Sequence, residues 1–427
     1  LTDGRFIVVQ EIRTSPAWPA ARIAFTSALL LFVVTIGIGI LNGLDLYNPD
    51  HDTLITHVHA GTLGWITLAT SGAALLMFAS PSAAPQEVKR AKTMAWAITI
   101  AIALYVLAFF AGDRIPGDRI QRPIFGTLLF VVVIWFAVWL FRANSKETSS
   151  SVARLGLLLA WISLLIGSVL GVALGVYTAR GEIPGLDDET AAAVAEGHPP
   201  AMVIGFLILA AMAVLEWLFR RHSRWADDKL GAAQMWILFT AGTLANIGFL
   251  SRMEEELLGP ANLLMIVGVV ILVVRYRKEL LPSGWKGSGT SAFAKVSSLF
   301  LVVYVILGTV LIAQVVSGSI DFDALTESQT GLLLAFDHTM FIGVMTNLLF
   351  GAIVLGGFGR AAIGTVDKVV LWGVNLGIAG FIVGLLTVSP VMKRISTPIM
   401  GISLLIGIFA YLGEMRASNP VEANTTV

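Results

Sequence analysis

Apolar residues fall in long runs, each roughly 20 residues, with short polar breaks between them. The runs lie at roughly 21–43, 54–80, 91–111, 123–142, 153–178, 193–219, 231–252, 258–276, 296–317, 330–357, 367–388 and 396–414. Each is long enough to cross about 30 Å of hydrocarbon as a helix. The breaks carry turn chemistry, as in Arg114-Ile115-Pro116-Gly117-Asp118 and Leu281-Pro282-Ser283-Gly284. This pattern predicts an all-α, polytopic membrane protein of about 12 transmembrane helices, with residues 1–427 forming a single integral membrane domain.

The polar breaks are not alike. If the N-terminus is cytoplasmic, the cytoplasmic segments hold 21 of the 28 basic residues, Arg220, Arg221, Arg224, Arg275, Arg277 and Lys278 among them. The opposite loops hold the remaining seven. Several of those loops are acidic instead: Asp45, Asp50 and Asp52; Asp187, Asp188 and Glu189; Glu254, Glu255 and Glu256. Positive residues stay on the side from which a span is inserted, so both termini are expected in the cytoplasm. The stretch Leu1 to Pro19, with Asp3 and Glu11, does not read as a cleavable signal, which leaves the first span as the insertion signal.

Composition narrows the chemistry. The 427 residues are 56% hydrophobic and 13% charged, with a mean hydropathy of +0.83, too apolar for a water-soluble core. The formal charge is zero, which leaves no footprint for nucleic acid. The absence of cysteine excludes disulfides, thiolate-held clusters and thioether-linked haem. Any metal or haem must therefore be held by His, Met, Asp, Glu or Tyr. The eleven Trp and twelve Met fit interfacial belts and core packing.

Six histidines occur. His51 in an acidic loop and His222 among arginines read as solvated surface residues. The other four open three similar segments: His57-Val58-His59-Ala60-Gly61-Thr62-Leu63-Gly64-Trp65, His198-Pro199-Pro200-Ala201-Met202-Val203-Ile204-Gly205-Phe206, and His338-Thr339-Met340-Phe341-Ile342-Gly343-Val344. His59 to His198 is 139 residues and His198 to His338 is 140, close to a third of the chain. Three four-helix repeats follow, at about 15–150, 151–290 and 291–427, with a histidine near the start of the second helix of each. A single intramembrane imidazole is most simply one that bonds a neighbouring helix. A set repeated at one depth is a functional candidate, because an unpaired polar group in hydrocarbon costs roughly 2–7 kcal/mol.

Two imidazoles from facing helices can hold a b-type haem within a bundle. Gly61, Gly64, Gly343 and Gly351 offer room for a macrocycle. His57 and His59 stand about 200° apart around a helix and cannot face one ring. His59 and His338 each precede a glycine by five residues, Gly64 and Gly343, which makes them the expected axial pair. His57 and His198 share a seven-residue spacing to glycine and would line a second polar site or none. Asp337 is either a hydrogen-bond partner for a ligand or propionate, or a solvated residue near the surface.

These residues resemble the large subunit of the haem–copper oxidase and nitric oxide reductase superfamily, which has twelve helices in three four-helix arcs. The resemblance covers the topology of the whole chain and motifs over about 30 residues. It implies that His338, in Asp337-His338-Thr339-Met340-Phe341-Ile342-Gly343-Val344, and His59 ligate a low-spin haem, and that Lys393 and Arg394, in Pro390-Val391-Met392-Lys393-Arg394, bind its propionates. The departures are specific. Phe336 replaces the high-spin haem ligand, the seventh span offers only Asn246 where metal-binding histidines belong, and Met202 replaces the Tyr or Glu four residues after His198. The implied protein is a degenerate relative that keeps a low-spin site and has lost the dinuclear oxygen- or NO-reducing centre. It is expected to bind one haem b near the outer face, with neither copper nor a second haem expected. It would pass electrons between quinol or a membrane partner and a periplasmic cytochrome or cupredoxin. The setting would be a respiratory-type complex in a bacterial or archaeal cytoplasmic membrane. Two alternatives stay open: an oxidase or nitric oxide reductase whose ligands come from Met202, Glu254 to Glu256 or another chain, and a haem-free anchor or transporter.

Overall fold

The computed structural model describes residues 15–80, 82–114, 119–146, 150–220, 223–285, 288–320 and 324–417. Asp3, Glu11, Ile115–Asp118, Arg221 and His222 lie outside the described residues. Among the described residues, twelve helices are long and apolar enough to span a bilayer: α1 (Trp18–Gly43), α2 (His51–Phe78), α3 (Pro85–Ala111), α4 (Gln121–Ser145), α5 (Val152–Arg180), α6 (Asp188–Phe219), α7 (Lys229–Ser251), α8 (Glu254–Arg275), α9 (Ser291–Val316), α10 (Glu327–Gly357), α11 (Thr365–Leu386) and α12 (Pro390–Ala417). The protein is an all-α integral membrane protein.

The helices run past the apolar runs where polar caps extend them. Asp50 caps α2 by accepting the Thr53 N–H at 2.7 Å, and Asp187 caps α6 by accepting the Thr190 N–H at 2.8 Å. The Thr53 side-chain and backbone hydrogen bonds hold the Asp50 carboxyl below its ordinary range. Glu254, Glu255 and Glu256 form the first turn of α8, where acidic residues complement the helix dipole.

Nine helices form a closed ring in the order α1, α3, α4, α5, α7, α8, α9, α11, α12, with α12 packed back on α1. The remaining three, α2, α6 and α10, stand inside and touch one another. Burial shows the same division: 89, 72 and 83% of the most apolar windows of α2, α6 and α10 are buried, against 33–56% for the other nine. The inner helices are thus the second member of each four-helix arc.

Each inner helix changes from α to π winding at one level, over Ala60–Thr67, Ala201–Leu207 and Thr339–Thr346. Such segments are rare and concentrate at functional sites. Two end alike: Thr67 Oγ1 donates to the Thr62 carbonyl at 2.9 Å and Thr346 Oγ1 to the Phe341 carbonyl at 2.8 Å, each five residues back. Trp65 Nε1 donates to Thr346 Oγ1 at 3.0 Å, tying α2 to α10.

Below this level the inner helices are sealed, with Leu63–Phe78, Gly205–Trp217 and Ile342–Val354 buried without a break. Above it, at what we call the histidine end, they border open space. Leu54 (44%), Val58 (37%) and Leu334 (38%) are exposed although they sit on helices enclosed by the ring, and Pro199 of α6 is exposed as well. Val58 and Leu334 each lie seven residues into their helices, so the hollow reaches about 10 Å down.

Backbones approach closely where glycines pair. A Cβ added at Gly242 of α7 would lie 2.7 Å from the Gly205 Cα of α6, and neither backbone can yield. Gly242→Ala should therefore cost about 1–3 kcal/mol by overpacking, read as a lower thermal midpoint in detergent. Gly259→Ala, which meets nothing within 4 Å, serves as the control.

Candidate functional site

Four imidazoles at the histidine end share one hydrogen-bonding pattern. Nδ1 of His57 bonds the Thr35 carbonyl of α1 at 2.9 Å, and that of His59 the Ile55 carbonyl at 2.9 Å. Nδ1 of His198 bonds the Gly167 carbonyl of α5 at 2.8 Å, and that of His338 the Leu334 carbonyl at 2.8 Å. A carbonyl oxygen can only accept, so Nδ1 carries the proton in each ring and neutral Nε2 holds a lone pair. Among the described residues no hydrogen bond reaches any of the four Nε2 atoms. This is the state in which an imidazole ligates iron, its other nitrogen oriented by a backbone carbonyl.

The rings fall into two sets. His57 lies within electrostatic reach of His338. Its ring is fixed by Thr35, whose Oγ1 also donates to the His57 carbonyl at 3.3 Å. Gly39 of α1 makes room for it, since a Cβ there would lie 3.1 Å from the His57 Cε1. The His338 ring packs beside Phe381 of α11, 5.2 Å between centroids. His57 thus packs between α2 and α1, and His338 between α10 and α11. His59 faces elsewhere, stacked on Phe109 of α3 at 3.9 Å and edge-on to Tyr105 at 5.8 Å, in reach of His198 and Arg122. Of the two α2 imidazoles, His57 is the one whose charge would interact with that of His338, and His59 the one whose charge would interact with that of His198. The cause is rotational: two residues of helix turn the neighbouring histidine toward another compartment, and the packing of α1 and α3 fixes which goes where.

The remaining predicted residues divide. Arg394 Nε bonds Asp45 at 2.8 Å across the exposed rim. Lys393 packs its stem on Gly384 of α11, and among the described residues its ammonium has no ion-pair partner. Gly384 lies one turn of α11 from Phe381, the residue beside His338. Asp337 is half-buried and, among the described residues, has no hydrogen bond or ion pair; it lies toward Tyr304 of α9, whose fully buried hydroxyl has no partner among them either. It does not orient His338, which is held by Leu334. Asn246 donates to the Gly197 carbonyl at 2.7 Å and so fixes the turn that carries His198. Met202 packs against Gly167. Among the described residues no three His, Asp or Glu side chains gather as a ligand set for a metal ion.

Sequence reasoning missed the surroundings of His59. Arg122 and Asp52 form a buried ion pair, and the Arg122 guanidinium lies 5.0 Å from the Phe109 ring centroid. Asp52 and Arg122 stand 70 residues apart in loops that read as solvated, so no spacing signalled them. Thr35, one of three hydroxyl residues in an apolar run, gave no signal either.

No protein-family model matches this sequence, and comparison with curated proteins gives no match.

Proposed function

We propose that this protein is a membrane b-type cytochrome in which His57 of α2 and His338 of α10 are the axial ligands of a low-spin haem at the histidine end. The observation that carries the reading is the pair of inner-helix imidazoles, each with Nδ1 committed to a carbonyl and Nε2 free, beside a hollow with apolar walls. A porphyrin supplies four equatorial nitrogens and asks the protein for only two axial ones. When bound, the haem supplies one-electron transfer. The chain's own residues supply the rest: Thr35 and the Leu334 carbonyl hold the rings, Gly39 leaves space, and the sealed lower half keeps water out. Lys393 is a free cation for a propionate, and Arg394 becomes a second once it exchanges Asp45. The distribution of Lys and Arg supports a hollow that faces outward, with both termini in the cytoplasm. The partners are then quinol or a membrane subunit as donor and a periplasmic cytochrome or cupredoxin as acceptor.

The test is a pyridine haemochrome assay on the purified protein with a reduced-minus-oxidised spectrum, with and without carbon monoxide. Haem b that is low-spin and indifferent to carbon monoxide is expected. A protein purified without haem overturns the reading, and a gas-binding high-spin spectrum replaces it with an oxidase or nitric oxide reductase.

A further inference from the structure

We infer that Lys92 of α3 and Arg142 of α4 clasp the phosphate of an anionic phospholipid at the end of the bundle opposite the histidine end. The inference stands apart from the cytochrome reading and needs no haem.

Two contacts fix how α3 and α4 run past each other. Lys146 Nζ, at the end of α4, bonds Glu87 Oε1 in the first turn of α3 at 3.2 Å. Deeper in, Gly126 of α4 lies against the Tyr105 ring of α3, where a Cβ would sit 3.3 Å from Cε2. Lys92 is five residues along α3 from Glu87, and Arg142 is four residues back along α4 from Lys146. At 1.5 Å per residue the two cations therefore stand at nearly one level. Neighbouring helix axes lie about 8–10 Å apart, so both long side chains can reach one group between them. Both also face out of the ring. Lys92 continues a stripe of exposed positions at Trp96, Ile100 and Leu107, and Arg142 one at Val131, Trp135 and Val138. The spacings of three, four and seven residues keep each stripe on one helix face.

Charge then sets the class of occupant. Glu87 is the sole acid in the sequences of α3 and α4, and Lys146 bonds it. Among the described residues neither Lys92 nor Arg142 has an ion-pair partner. Two like charges at one level repel, and a phosphate between them replaces the repulsion with charge-assisted hydrogen bonds. Beyond the cations both stripes are apolar for about 20 Å. A free anion would use the cations alone. A diacyl phospholipid uses both features, with its phosphate between the cations and its chains along the stripes.

The fold supplies its own control. Lys368 and Trp372 of α11 repeat the four-residue spacing of Lys92 and Trp96, and both are exposed. On α12, however, the register differs in what it presents. Gly377 lies against Met400 and Gly384 against Lys393, which puts Phe409 level with Lys368. Lys368 thus has an apolar neighbour where Lys92 has a second cation.

The experiment is native mass spectrometry of the full chain in detergent, offered equal amounts of phosphatidylglycerol and phosphatidylcholine. The wild type is expected to retain one phosphatidylglycerol, preferred at least about tenfold over phosphatidylcholine. Lys92→Gln and Arg142→Gln should each bring the preference close to parity, while Lys368→Gln leaves it unchanged. All three positions are exposed, so the variants should keep the wild-type elution volume in gel filtration. Equal retention of the two lipids by the wild type overturns the site. So does a loss with Lys368→Gln as large as with Lys92→Gln, which would mark diffuse attraction to the bilayer. Displacement of the lipid by inorganic phosphate at equal concentration overturns the phospholipid as occupant.

Discussion

Alanine at His57 is expected to abolish the low-spin signal that alanine at His338 abolishes, while alanine at His59 leaves that signal in place. The contrast is sharp because His57 and His59 differ by one intervening residue, and only the rotational phase of α2 separates them. Each axial bond is all or none for a bis-imidazole spectrum, so loss should be near complete rather than graded. Truncation at these positions should not endanger the fold, since His57 and His338 are only half-buried and each ring bonds a single backbone carbonyl. Gel filtration of the apoprotein checks that. If His59→Ala rather than His57→Ala removes the His338-dependent signal, the axial assignment is wrong and the expectation from the glycine spacing is restored.

The largest loss of stability should come from the opposite end of the bundle. Glu216 at the foot of α6 is 1% exposed and accepts from Arg275 of α8 at 3.0 Å and from the Tyr276 hydroxyl. Arg275 also donates to Asp228 at 2.6 Å and to Gln234 Oε1 at 2.8 Å, so α6, α7 and α8 are pinned through one guanidinium. Removing one partner strands the opposite charge where water cannot reach it. Glu216→Ala or Arg275→Ala is expected to cost about 3–5 kcal/mol, enough to reduce the yield of folded protein and the melting temperature in detergent. Arg394→Ala, which breaks only the exposed rim pair with Asp45, should leave the melting temperature unchanged. Asp228, at the cap of α7, adds a pH dependence. Burial pushes its carboxyl up, but the Gly231 N–H and Arg275 outweigh burial and hold it below the ordinary value of 3.8. Its folded-state value is lowered, so its contribution is complete at neutral pH and is lost only as acid takes the solution down through that value. A melting temperature for Arg275→Ala equal to that of the wild type would rule the network out as a support.

The topology was legible in the sequence because a bilayer imposes one requirement on every span, an apolar run of sufficient length, and all twelve runs became helices. The repeated histidines were legible as marks on three corresponding spans, but that the other nine helices enclose these three was not, since enclosure depends on how the helices pack. What stayed hidden depends on relations between distant residues. The facing of His57 and His59 is set by Thr35 on one neighbour and Phe109 on another, and neither belongs to a motif. The π segments follow no propensity; their threonine closures at Thr67 and Thr346 make sense only once the winding is known. Arg275 reads as one more cytoplasmic cation in a count of charges, yet its side chain is 3% exposed. The partner that draws it inward, Glu216, is a single acid in an otherwise apolar stretch.

The hollow opens on one face only, and this has an electrical consequence. A transmembrane voltage does work on a charge in proportion to the fraction of the insulating layer that the charge crosses, about 2.3 kcal/mol per 100 mV for the full thickness. An electron moving between the surface and a cofactor about 10 Å down would cross roughly a third of that layer. Energising the membrane should then bias such a transfer by only about 0.8 kcal/mol per 100 mV. That is about a fourfold bias per 100 mV, against about fiftyfold for an electron crossing the full thickness, so a protein built this way would feel the membrane potential only weakly by comparison.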